Sequence, residues 1–263
     1  MRISDKPVSS SLYDAEYYKS ANHGYSEFLE NKGLPQEIMK KVTKIDVQGK
    51  TVLDLGCGRG EFVRYCTTKG AEVYGIDYSD ASVNISKKTL ADLSENIRSH
   101  AHIKKMDVKK LKFEDNTFDL ITGFDIIEHL HDWELKEAIS EIKRVIKPQG
   151  QLLLHTSPNK LMMETVRKVV RLFGVSLRSD KFHVNEISYF SARRYFEDFE
   201  PNITLEKEKN YWSNQMDFRG KALKSIAKIL DTLLDCKPIH SILSLFPLSI
   251  LTCTDIWISG TKK

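Results

Sequence analysis

The hydrophobic pattern of the chain changes period repeatedly between residues 51 and 156. Short apolar runs recur there, each followed by a stretch in which apolar positions fall three and four apart. The first run is Val52, Leu53 and Leu55, carrying Asp54 within it and broken by glycines at 56, 58 and 60. A helical stretch follows with Phe62, Val63, Tyr65 and Cys66 on its apolar side. Further strands are predicted over 72–77, 102–107, 118–123 and 151–156. Helices are predicted over 79–98 and 132–146, the second stopped by Lys147-Pro-Gln-Gly150. A helix over 191–199 and strands over 203–208 and 255–260 complete the plan. This alternation predicts an α/β fold: a Rossmann-like, doubly wound, mainly parallel seven-stranded sheet with helical cap insertions.

Three pieces lie outside that plan. Residues 1–35 read as a helical segment capped near Ser9–Ser11 and bearing Leu12, Tyr13, Tyr17, Tyr18, Tyr25 and Phe28. Such a segment either packs on the domain or serves as a lid over a ligand. Residues 36–263 form the main domain, with cap insertions at about 160–185 and 218–250. The first cap sets Val166, Val169, Val170 and Leu172 beside Arg167, Lys168 and Arg171. The second is basic at Arg219, Lys221, Lys224 and Lys228 and then apolar. The plain reading of these cations is a solvated helix face; the functional one is peripheral contact with an anionic membrane surface.

Composition narrows the partners. Hydrophobic content of 41% and charged content of 29% are ordinary for a globular domain. A net charge of +4, with no aromatic-interleaved basic groove, predicts no nucleic-acid partner. Cysteines 57, 66, 236 and 253 have no metal-binding spacing, which predicts reduced thiols and a cytoplasmic location. No secretory leader is predicted, and the apolar run 239–251, interrupted by Pro247, is short for a bilayer span.

The chemistry concentrates at the first strand–turn–helix. Asp54 can accept hydrogen bonds from a cationic or hydroxyl-bearing ligand, and the turn Gly56-Cys57-Gly58-Arg59-Gly60 lets backbone approach it closely. The spacing D-x-G-x-G-x-G departs from the dinucleotide pattern G-x-G-x-x-G, and Glu61 at the helix start would repel a phosphate. An NAD-dependent oxidoreductase is disfavoured on both grounds. Asp77 ends the second strand 17 residues past Gly60, the place from which a carboxylate holds ribose hydroxyls in nucleotide-binding α/β folds.

With Leu53–Gly60, Gly75-Ile-Asp77, Met106-Asp107, Phe118–Ile121, Ile127-Glu-His129 and Val145–Gly150, the chain resembles class I S-adenosylmethionine (SAM) methyltransferases, the type-11 and type-23 groups in particular. The resemblance covers roughly residues 45–160. It implies SAM as cofactor and S-adenosylhomocysteine (SAH) as product. It further implies Tyr78 as a wall for adenine, Asp107 and Val108 as partners of the adenine edge, and Met106 and Phe124 as apolar neighbours. Glu128, His129 and His183 are the catalytic candidates it suggests. The flanks resemble methyltransferases of polysaccharide and lipopolysaccharide gene clusters.

Asp125, Glu128 and His129 at i, i+3 and i+4, with His183, also resemble the E-x-x-E-H cation site of ubiquinone-pathway O-methyltransferases and plant small-RNA 3′-terminal methyltransferases. Asp125 stands where those families carry Glu. No metal is assigned; a divalent cation is held as an alternative. The expected reaction is methyl transfer to a hydroxyl of a small molecule or glycan, such as a sugar of a surface polysaccharide. The alternatives are a quinone or phenolic precursor, with a metal, and a SAM-binding regulatory module without turnover.

Overall fold

The computed structural model describes residues 6–20, 24–172, 183–208, 211 and 221–263. The seven strands are β1 (Thr51–Leu55), β2 (Glu72–Asp77), β3 (Ala101–Lys105), β4 (Phe118–Phe124), β5 (Ile146–Thr156), β6 (Asn202–Glu206) and β7 (Asp255–Thr261). They form one sheet in the order β3-β2-β1-β4-β5-β7-β6. β1 to β5 are parallel to their neighbours, and β7 runs antiparallel to both β5 and β6. The strand order reverses between β1 and β4. In an open sheet of this kind the carboxyl ends of those two strands flank the ligand crevice.

The central strands β1 and β4 are buried on both faces, so their consecutive residues feed two cores. Leu53, Ile121 and Leu152 enter one cluster with Leu135, Ile142 and Phe196. Val52, Leu120 and Leu153 enter the other with Val63, Leu90 and Trp257. This two-sided burial explains why the parallel strands read as nearly continuous apolar runs.

The helices are α1 (Tyr17–Ser20), α2 (Tyr25–Asn31), α3 (Gln36–Val42), α4 (Glu61–Thr68), α5 (Asp80–Leu90), α6 (Glu95–Arg98), α7 (Asp132–Val145), α8 (Lys160–Leu172) and α9 (Tyr189–Tyr195). In the second cap come α10 (Lys221–Leu234), α11 (Lys237–Leu243) and α12 (Ser249–Thr252). Two expected helices are broken. The stretch expected as one helix over 79–98 is α5 and α6, because Ser94 starts a new helix after the turn that ends at Leu93. The N-terminal segment is a 3₁₀ turn over Ser10–Leu12 followed by α1 and α2. Asp14 Oδ1 accepts from the amides of Glu16 (3.0 Å) and Tyr17 (2.8 Å) and so starts α1 afresh, and Gly24, at φ +78°, begins α2. The third strand also stops at Lys105, leaving Met106 and Asp107 in the loop beyond it.

α12 packs against α8, which brings the two caps together. Asn159, fully buried at the start of α8, donates Nδ2 to the carbonyls of Ile250 (2.8 Å) and Cys253 (3.1 Å). Arg219, where the second basic stretch was expected to begin, lies outside the described residues, as do residues 173–182 of the first cap. All four cysteines are free thiols. No helix among the described residues is long and apolar enough to cross a membrane.

Candidate active site

A cavity of about 520 Å³ opens at the carboxyl ends of β1, β2, β4 and β5. Its first half is built by the glycine turn. Gly56, Gly58 and Gly60 all have positive φ (66°, 53° and 83°). The Gly58 carbonyl accepts from Ser82 Oγ (2.7 Å) and Ser86 Oγ (2.8 Å), two hydroxyls on one face of α5. The Gly58 amide donates to Asp77 Oδ2 at 3.2 Å, and the Ser79 amide donates to Asp77 Oδ1 at 2.9 Å. The turn and the acid that closes it therefore hold one another in place. Gly56, Cys57 and Gly58 line the cavity; Gly60 does not. Gly60, expected against the cofactor, also packs tightly on α5: a Cβ there would stand 3.0 Å from Ser86 Cβ.

Three acids are buried around this turn: Asp54, Glu61 and Asp77. Asp54 accepts from Thr122 Oγ1 at 3.0 Å, across the β1–β4 pair where the two residues stand in register. Burial, together with the nearby Glu61 and Asp77, pushes its carboxyl up to about 8 against that hydrogen bond. Burial also raises Asp77, although the backbone amides of Ser79, Gly58 and Tyr78 and the Ser82 side chain oppose it. Acids held this way are stabilised by a cation entering the cavity.

The Glu61 carboxylate is 2.5 Å from Arg59 Nε, and Arg59 Nη1 also donates to the Tyr18 carbonyl at 3.3 Å. The guanidinium lies 5.2 Å from the Phe28 ring and 5.8 Å from that of Tyr25. Glu61, at the start of α4, is thus paired with a cation of its own turn.

Val8, Tyr13, Tyr17 and Tyr18 of the N-terminal segment line the same half, opposite Tyr78, Met106, Asp107 and Val108. Ser79 Oγ donates to the Tyr13 carbonyl at 2.6 Å, and Tyr78 donates to the Val8 carbonyl at 3.3 Å. Asp107 accepts from the Lys109 amide (2.9 Å) and pairs with Lys109 Nζ (2.9 Å), which also reaches the buried Glu134 (2.8 Å).

Phe124 also lines the cavity and packs edge-on against Phe62 with ring centroids 5.3 Å apart. Beyond it, Glu128 is buried and accepts from Thr156 Oγ1 at 2.8 Å. Burial, with Asp125 nearby, raises its carboxyl to about 8. The Glu128 carbonyl takes the amides of Val184 (2.9 Å) and Asn185 (3.1 Å), which carries His183 to within 5.1 Å of the His129 ring. Tyr13 hydroxyl and His129 Nδ1 are 3.0 Å apart. Donor atoms of Glu128, His129 and His183 lie within 4.8 Å of one another, close enough to share one metal ion.

Asp125 does not join that group. Its Oδ1 is 2.6 Å from His155 Nδ1, and Asp125 itself is left-handed at φ +57°. Burial opposes charging of His155, but Asp125 and Asp255 outweigh it and raise the imidazole well above its ordinary range. Arg167 and Glu186 form a two-pronged pair on the same side, near Tyr211.

Sequence reading missed Thr122, Ser82 and Ser86, the N-terminal contact to His129, and the His155–Asp255–Trp257 group. The serines alone carried a signal, since 79, 82 and 86 fall on one helix face.

Residues 53–154 match the family model described as methyltransferase domain. The sheet order, the glycine turn and the cavity give the chain the class I fold of SAM-dependent methyltransferases. Among curated relatives, a Haemophilus influenzae protein described as uncharacterized is 27% identical over 169 residues, 62% of this chain and 65% of its own. A ubiquinone biosynthesis O-methyltransferase of Dechloromonas aromatica is 30% identical over 118 residues, 43% of this chain and 46% of its own. The aligned part of the chain thus spans from about half to just under two thirds of those relatives. A SAM-dependent methyltransferase from Archaeoglobus fulgidus superposes with TM-score 0.58 at 16% identity, covering 92% of this chain and 100% of that one.

Proposed function

We propose that the protein is a SAM-dependent methyltransferase that methylates a hydroxyl of a small molecule or glycan. One observation carries the reading: the cavity is continuous from the Asp54–Asp77 half to the His129–His183 half. SAM supplies a methyl group already activated by its sulfonium. The chain's part is therefore to hold cofactor and acceptor in line and to take up the acceptor's proton. Asp54 meets the cationic amino acid end, Asp77 the ribose hydroxyls, and Tyr78, Met106, Asp107 and Val108 the adenine. His129, whose Nδ1 is 3.0 Å from the Tyr13 hydroxyl, is the proton acceptor. Residues 1–35 act as the lid. A sugar of a surface polysaccharide fits the many carboxylates of the second half, since carboxylates pair well with hydroxyls.

The second reading is a quinone or phenolic precursor with a divalent cation. It is favoured by the grouping of Glu128, His129 and His183 and by the O-methyltransferase relative. Those three residues fit a cation: the raised carboxyl of Glu128 is relieved by a positive ion, and the donor set of two imidazoles and one carboxylate suits zinc, manganese or cobalt better than magnesium. A cation there would lower the pKa of an acceptor hydroxyl. Peripheral membrane contact through the second cap is supported by its exposed apolar residues, among them Ile242, Leu245 and Phe246, with exposed Lys228 and Lys237 nearby.

The test is thermal unfolding with SAM or SAH, for the wild type and Asp77→Ala. Ligand at about 100 times its dissociation constant adds roughly 2.7 kcal/mol. Stabilisation that disappears in Asp77→Ala is the expected result; none in the wild type sinks the reading. Turnover that survives exhaustive chelation removes the metal variant alone.

A further inference from the structure

The second half of the cavity holds a group of side chains that the transfer reaction as described does not use. Asp255 opens β7 and is 7% exposed, yet among the described residues no donor lies within hydrogen-bond distance of its carboxylate. Its nearest recorded partner is His155 Nε2, at 3.9 Å from Oδ2, too far for a hydrogen bond. His155 sits two places along the β5–β7 register, paired with Trp257, and its ring lies 4.5 Å from the indole. The other imidazole nitrogen is fixed by Asp125 at 2.6 Å. Asp125 is held to β5 a second time, its amide donating to the His155 carbonyl at 3.2 Å. Both bonds require the left-handed backbone at Asp125, a conformation that costs energy in any residue but glycine. Asp255, His155 and Trp257 all line the cavity.

Asp255 lines the cavity beside its charge partner His155, and the 3.9 Å between their polar atoms leaves room for a bridging oxygen. The gap between His155 Nε2 and Asp255 Oδ2 has a defined chemistry. One oxygen can lie at about 2.8 Å from both atoms, accepting from the imidazole and donating to the carboxylate. A ligand hydroxyl does both, as does the water it would displace. A substrate carboxylate or phosphate would be repelled by Asp255 and Asp125, and an ammonium could not accept from Nε2.

We propose that Asp255 and His155, the latter fixed by Asp125, bind a second hydroxyl of the methyl acceptor, so that the acceptor is a diol rather than a monohydric compound. The proposal rests on the methyltransferase reading and names its substrate class. No bond is made or broken at this subsite: it orients the acceptor while the reacting hydroxyl faces the methyl group. Sugars and catechols share the diol chemistry, and Trp257 offers either one an aromatic wall.

The experiment is saturation-transfer NMR with SAH present, on the wild type, Asp255→Asn and His155→Gln. The probes are methyl glycosides and catechol, with cyclohexanol and phenol as their monohydric counterparts. Calorimetric SAH affinity is measured for each variant as the check on folding and on the cofactor half. The expected result is binding of one diol class that falls about tenfold or more in both variants, with SAH affinity unchanged. Loss confined to glycosides assigns an aliphatic polyol; loss confined to catechol assigns a phenolic acceptor. Three results overturn the proposal while SAH still binds: no diol binds, diols bind the variants as well as the wild type, or monohydric probes suffer equally. The last two leave water as the occupant of the gap. Failure of the wild type to bind SAH overturns the methyltransferase reading, and the subsite with it.

Discussion

The two halves of the cavity are built on different plans. In the first, Asp54, the glycine turn, Asp77 and Met106–Val108 come from three successive strand ends within residues 51–108. Their polar groups are largely completed by one another: Thr122 serves Asp54, and the Gly58 and Ser79 amides serve Asp77. In the second, Asp125, Glu128, His155, His183 and Asp255 come from four separate stretches, and Asp255 lacks a hydrogen-bond donor. On the proposed reading, the cofactor half is a locally built cradle, and the acceptor half is assembled from side chains delivered by long-range pairing.

The contrast can be broken most severely at Gly60. Gly60→Ala places a Cβ at positive φ against Ser86, 3.0 Å from its Cβ, and is expected to cost roughly 1–3 kcal/mol of stability and to abolish SAH binding. Gly49→Ala, also at positive φ but with nothing within 4 Å of the new Cβ, isolates the backbone part and leaves SAH binding intact. Chemical denaturation with and without SAH measures both. A Gly60→Ala protein no less stable than Gly49→Ala would show that the cradle is not rigidly packed.

A smaller effect is expected at Asp54. Its carboxyl lies at about 8 in the native state and 3.8 otherwise, so the native state binds this proton more tightly. The ligand-free protein therefore loses stability from this group as pH rises from 3.8 to about 8. Asp54→Asn should flatten that slope in denaturation curves taken across the window. SAM affinity of the wild type should rise over the same window as the carboxylate becomes available to a cation. A slope unchanged by the substitution would place the acid load elsewhere.

The smallest effect concerns the cap beside the second half. Exchanging Leu245 and Phe246 for serine should reduce co-sedimentation with anionic vesicles at low salt and leave SAH affinity unchanged. Both side chains are more than 60% exposed, so stability should barely move. Equal sedimentation of the variant and the wild type would remove the membrane contact.

Legibility in the sequence follows the same division. Strands buried on both faces announce themselves, and β1, β2 and the glycine turn fall where the apolar runs end. β5 starts earlier than its pattern, at Ile146, because pairing with Phe118 begins before the register shifts to Leu120. The break between α5 and α6 was hidden by apolar spacing that continues through it. Glu61 stands at the start of α4 as its sequence position suggested, while its pairing with Arg59, two residues away, is made by the turn's geometry. His155 and Asp255 are a hundred residues apart, and only the antiparallel placement of β7 beside β5 joins them. Knowing that strand direction beforehand would have paired them on paper.

Tyr13 deserves a last consequence. Its carbonyl is tied to Ser79 on one side of the cavity, and its phenol to His129 on the other. On the proposed reading, a displacement of Tyr13 would loosen both ties together and so couple the two halves of the cavity in a single motion.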